Sequence, residues 1–199
     1  MDRPKTVTIF PMLKPAPNTM QAYFKSRGYV PGGVVTNSKN EIFHMERLPP
    51  FLRTLLVADG TVTKSLEAFF WEQVEVHNLG QAPACLTHKV PALDLLVGDT
   101  VLERRVRLLG MESKRVFALA HSLIKLEALP EHLREDLQQG RIGIGELLRE
   151  RGLETYREIL DVGQSDVLGE TIYRTYRIVI QHQPAILITE TFPCSVYQS

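Results

Sequence analysis

An arginine and a glutamate stand where the sequence pattern asks for apolar side chains. Side chains alternate between the two faces of a β-strand. In the segment 100–109, Leu102, Arg104, Val106 and Leu108 share one face, while Glu103, Arg105, Arg107 and Leu109 share the other. The second set suits water. The first suits a core, and Arg104 is its exception. In the segment 185–192, Ile186, Ile188, Glu190 and Phe192 share a face on which Glu190 alone is polar, and Ala185, Leu187, Thr189 and Thr191 form the other. Burying an unpaired charge costs an amount comparable with the stability of a whole domain, so each group needs a partner. Three arrangements satisfy this: the two pair with each other, one or both reach water at a strand end, or both line a pocket and a ligand completes them. In the last case the chemistry is specific. A planar guanidinium gives two parallel hydrogen bonds to a carboxylate, and an ionised glutamate accepts a bond from a hydroxyl. Arg174 repeats the pattern among Ile172, Tyr176, Ile178 and Ile180, and Arg177 lies on the opposite face with Tyr173, Thr175 and Val179. Either is a candidate for a second anionic group, with a salt-bridged or solvated strand arginine as the plainer alternative.

Other reactive constellations are missing from the sequence. His44, His77, His88, His121, His132 and His182 lack metal-ligand spacing, so no metal site is expected. Gly143-x-Gly145 precedes a helical stretch but lacks the following Lys-Ser/Thr of a phosphate loop, although an anion or carboxylate suits such a helix start. Ser122 and Ser195 have no nucleophile-elbow context. Cys85 and Cys194 are too few for a disulfide framework, which favours a reduced, cytoplasmic setting.

The elements that must carry these residues read as α+β. Pro50 opens a helix through 57, and Asp59-Gly60 ends it. Thr61 or Thr63 then caps a helix bearing Val62, Leu66, Phe69 and Phe70. A strand is expected at 74–78. Strands at 100–109 and 115–124 flank a turn at 110–114, and short helices follow at 130–137 and 143–151. The stretch 153–164 is ambiguous, with strand character at 159–162. The chain closes with strands at 171–180 and 185–192 around a turn at 181–184. The expectation is a single antiparallel β-sheet with helices packed on one face.

Length suits one domain, residues 46–199, behind a proline-rich N-terminal arm at 1–45 with a short strand near 7–10 and a helical turn near 19–24. Hydrophobic residues make up 44% and the formal net charge is +0, so neither a nucleic-acid surface nor a membrane partner is expected. No apolar run approaches the length of a membrane span, and no signal-peptide core is present. Composition leaves the oligomeric state open.

Several separated pieces now fall into a known order. They are LLVADGTVT at 55–63, Leu102-Glu103-Arg104, Ser122-Leu123-Ile124, GIGELL at 143–148, and Arg174-Thr175-Tyr176-Arg177. Gln183-Pro184, then Thr189-Glu190-Thr191-Phe192 with Ser195-Val196, complete the set. From about Leu52 to Tyr197 the chain resembles the chorismate pyruvate-lyases, or 4-hydroxybenzoate synthases, with details closer to a branch outside ubiquinone synthesis. The resemblance implies that fold and the loss of pyruvate from chorismate to give 4-hydroxybenzoate, a small-molecule reaction with no metal or organic cofactor. It implies that Arg104 holds the ring carboxylate and Glu190 the ring hydroxyl, and that the backbone at Val62 and Ile144 touches the ligand. Val62 stands where some relatives have methionine. His121 stands where some have arginine, which leaves the holder of the pyruvyl carboxylate open among His121, Arg174 and Arg177. The arm and His121 keep one alternative in play, the same scaffold acting on another small carboxylated intermediate; another is a non-catalytic ligand-binding domain, because related folds serve as ligand sensors.

Overall fold

A computed structural model describes residues 28–139, 143–165 and 170–198. The strand and turn expected at 7–10 and 19–24 lie outside the described residues. Among the described residues, eight strands and four α-helices run in the order β1 (Val34–Thr36), β2 (Ile42–His44), α1 (Pro50–Val57), α2 (Val62–Phe70), β3 (Val74–Cys85), β4 (Thr100–Gly110) and β5 (Val116–Ile124). Then come α3 (Glu131–Gln139), α4 (Ile144–Glu150), β6 (Thr155–Ser165), β7 (Thr171–Ile180) and β8 (Gln183–Pro193). Six strands form one antiparallel sheet in the order β3-β4-β5-β8-β7-β6, and β1 pairs with β2 apart from it. The α+β expectation therefore holds, with a small second hairpin added.

The β7–β8 turn is tighter than the sequence suggests: Gln181 and His182, with φ of 48° and 67°, make the whole connection. Such left-handed pairs match the twist of a hairpin. The edge strands are longer than expected. β3 runs on to Cys85 through a bulge at Gly80 (φ 149°), and carries Pro83, which an edge strand tolerates because one side needs no ladder donor. β6 spans the ambiguous stretch and is bulged between Ile159 and Asp161, which breaks its period of two.

The pocket-side face of the sheet carries two separate apolar clusters. Leu52, Leu55 and Leu56 of α1 and Val62 and Leu66 of α2 pack with Leu108, Ile172 and Phe192. Leu133, Leu137, Ile144, Leu147 and Leu148 of α3 and α4 pack with Leu102, Tyr176, Ile178, Ile186 and Ile188. A third cluster covers the opposite face, where Val90, Leu93 and Leu95 of the β3–β4 connection meet Val101, Leu123 and Leu187. Val30, Val35, Phe43 and Met45 belong to the first cluster. Residues on both sides of position 45 thus contribute to one cluster.

Candidate active site

The two helix-side clusters leave a cavity between them, and the odd charges face into it. Its floor is the sheet: Arg104, Val106 and Leu108 of β4, Ala120 and Ser122 of β5, Tyr176 of β7, and Ile188 and Glu190 of β8. Its walls are Gly60, Thr61, Val62 and Thr63 on one side and Gly143, Ile144, Gly145 and Glu146 on the other, with Val76 and Arg157 from the two edge strands. The cavity holds about 590 Å³ of space, its open mouth included. Antiparallel register explains the gathering. Arg104 faces Ser122, which faces Ile188, and Val106 faces Ala120, which faces Glu190, so all six side chains share one face.

Arg104 is 2% exposed and Glu190 6%, so neither reaches water at a strand end. Nor do they pair with each other. Glu190 accepts a hydrogen bond at Oε2 from Arg174 Nε at 2.7 Å and at Oε1 from the Tyr176 hydroxyl at 3.0 Å. Arg174, fully buried, also donates through Nη1 to the carbonyls of Leu55 and Ala58 at the end of α1, and its guanidinium lies 4.8 Å from the Tyr176 ring centre. Burial is the largest influence on Arg174 and pushes its pKa down, but the charges and hydrogen bonds of Glu190 and Tyr176 together outweigh it and the net shift is upward. Burial, reinforced by Glu190, pushes the Tyr176 phenol up, so it stays a donor at neutral pH. Burial also lowers the Arg104 pKa from its ordinary value, yet an arginine starts so high that it remains charged. The arrangement presents a buried cation on β4 and a fixed acceptor on β8 to whatever enters.

The other expected residues divide. Val62 and Ile144 open α2 and α4 and line the cavity from opposite walls. Arg174 stands behind Glu190 and does not line the cavity. His121 and Arg177 are corrections. His121 lies between Ala120 and Ser122, so its ring points to the opposite face, where Nε2 meets Glu103 Oε1 at 2.6 Å. Burial lowers its pKa, with Glu103 opposing the shift. Arg177 also points away, donating to Glu158 at 2.7 Å and to the Ala92 carbonyl at 3.2 Å. The Thr61 cap is a third correction: Thr61 is the N-cap of α2, but its side chain makes no capping bond.

Sequence reasoning missed Tyr176 and Arg157 as site residues. Tyr176 shares its face with Arg174, a signal that was available; Arg157 sits in the bulged strand, where alternation gave none. Among the described residues, no three His, Cys, Asp or Glu side chains converge as metal ligands, and no helix is long and apolar enough to cross a membrane.

Comparison with known proteins gives a consistent picture. A family model described as chorismate pyruvate-lyase, Rv2949c-like, matches residues 56–198. A chorismate pyruvate-lyase of Mycobacterium leprae is 31% identical over 175 residues, which is 82% of this chain and 82% of its own. The chorismate pyruvate-lyase of Mycobacterium tuberculosis (strain CDC 1551 / Oshkosh) is 30% identical, over 74% of this chain and 81% of its own. Among solved structures, the effector domain of PhnF from Mycobacterium smegmatis matches 68% of this chain and 90% of its own with a TM-score of 0.52. At 14% identity that likeness is one of fold.

Proposed function

Since the chain belongs to the Rv2949c-like chorismate pyruvate-lyase family, we propose that it eliminates pyruvate from chorismate and leaves 4-hydroxybenzoate. In this reaction the bond from ring carbon to the enolpyruvyl oxygen breaks, and the neighbouring hydroxyl-bearing carbon loses its proton. The ring becomes aromatic, and the enol takes up a proton to become pyruvate. No electrons enter or leave, and aromatisation supplies the driving force. The protein's task is to orient the ring and stabilise charge on the departing oxygen.

Arg104 clamps the ring carboxylate through its guanidinium fork. Glu190 accepts the ring hydroxyl; its carboxylate is already aimed by Arg174 and Tyr176 and keeps lone pairs for one more donor. The backbone at Val62 and Ile144 makes further contacts from the two walls. One observation carries this reading: a buried cation and a buried acceptor face one cavity from strands separated only by β5. Strand spacing and a two-residue offset put their backbones roughly 12 Å apart, so inward side chains leave room for a ring with its carboxylate and hydroxyl in para positions.

Dialysed protein incubated with chorismate in the presence of a chelator should yield 4-hydroxybenzoate and pyruvate in equal amounts. Folded protein that gives neither product would sink the proposal, and tight binding of 4-hydroxybenzoate without turnover would point to a ligand-binding role instead. Arg104→Ala should weaken 4-hydroxybenzoate binding by about tenfold or more, the loss expected for charge-assisted hydrogen bonds. Arg105→Ala, which removes a partner of Glu103 on the far face, should leave binding nearly unchanged.

A further inference from the structure

A second guanidinium faces the cavity and has no task in the scheme above. Arg157 of β6 lines the same cavity. Its Nη1 donates to the Asp59 carbonyl at 2.5 Å, which anchors one arm of the fork. Its Nε is buried and has no hydrogen-bond partner. The neighbouring carboxylate on its strand, Glu158, is bonded to Arg177 on the other face. A Cβ placed on Gly145 would come 3.4 Å from Arg157 Nη2, so the start of α4 borders that nitrogen directly. A guanidinium anchored at one nitrogen, with another buried and unanswered, is built to receive an anion.

Its position in the sheet indicates which anion. In the order β4-β5-β8-β7-β6, the strand of Glu190 stands midway between the strands of Arg104 and Arg157. A ligand lying on this floor from Arg104 to Glu190 therefore has, on the far side of the Glu190 strand, the wall that carries the second cation, Arg157. Chorismate carries a ring carboxylate, a hydroxyl para to it, and an enolpyruvyl carboxylate on the carbon next to the hydroxyl. The two sequences of groups correspond. We propose that Arg157 receives the second carboxylate, making the site selective for a dianionic ring compound over its monoanionic aromatic product. The identity of that dianion rests on the lyase reading; the selectivity itself does not.

Two stable probes separate the questions: 4-hydroxybenzoate, with one carboxylate, and 3-(carboxymethoxy)-4-hydroxybenzoate, with two. Calorimetric titration of the full chain should show the dicarboxylate bound about tenfold tighter, the worth of one charge-assisted pair. Arg157→Gln should abolish that preference while holding 4-hydroxybenzoate affinity within about twofold, and Arg157→Lys should restore part of it. In turnover, Arg157→Gln should raise the KM for chorismate by about tenfold. No preference in the unmodified protein would overturn the proposal. So would equal loss of both ligands in Arg157→Gln, which would reduce Arg157 to an anchor for the Asp59 loop. A preserved dicarboxylate preference in a protein that releases no pyruvate would instead reject the lyase reading and leave the assignment of Arg157 standing.

Discussion

Glu190 is held from behind by a residue that never touches the cavity. Arg174 is 0% exposed and joins Glu190 to the carbonyls of Leu55 and Ala58. Removing one member of a buried pair strands the other charge, at about 3–5 kcal/mol. Arg174→Met should therefore lose about that much stability in urea unfolding, and Arg174→Met with Glu190→Gln should lose less than the first change alone. A double variant as unstable as the sum of the singles would show that the pair is not coupled. At this scale the sequence was informative for a physical reason. Charges on an apolar face are expensive, so Arg104, Glu190 and Arg174 stood out from alternation alone. His121 was placed by likeness rather than by alternation, and the pairing of Arg104 with Ser122 turns it away. That register depends on how β4 meets β5, which neither strand's own pattern contains.

At the scale of elements, β4, β5, β7 and β8 were legible because each is flanked by strands and shows one clean face. The edges were not. Bulges at Gly80 and near Leu160 shift the period within β3 and β6, and Arg157 was lost with β6. The β1–β2 hairpin was missed for another reason: what fixes it lies far away in the chain. Asp161 of β6, 2% exposed, accepts bonds from the Ser38 amide at 2.9 Å, the Ser38 hydroxyl at 2.6 Å and the Tyr173 hydroxyl at 3.1 Å. Asn37 joins the cluster through Tyr173. Asp161→Ala leaves buried donors unanswered and should destabilise by about 2–4 kcal/mol. Hydrogen exchange should then rise in residues 34–44 before it rises in β7 and β8. Uniform loss of protection would mean that the hairpin is held by its apolar contacts rather than by this carboxylate.

Over the whole molecule, burial sets the response to alkali. Burial raises the pKa of Tyr173, Tyr176 and Tyr197, with Asp161 adding to the shift at Tyr173 and Glu190 at the other two. An unfolded phenol releases its proton near pH 10. Below that value both states keep the proton and the stabilisation is complete. Above it the unfolded state binds fewer protons, so stability falls as pH rises toward the folded values, by about 1.4 kcal/mol per pH unit for each phenol. Urea midpoints measured between pH 9 and 11.5 should decline, and Tyr173→Phe should decline less steeply. An unchanged slope would rule out Tyr173 as a contributor.

The division of the helix-side packing into two clusters also decides how the cavity's walls are joined. The start of α2 and the start of α4 approach each other as opposite walls of the cavity, where a Cβ on Gly145 would come 3.5 Å from the Thr61 side chain, an ordinary contact distance. Those two helices belong to different clusters. Neither takes part in a strand ladder. A side chain at position 145 would therefore bring the two walls into van der Waals contact and join across the cavity two units that otherwise pack independently.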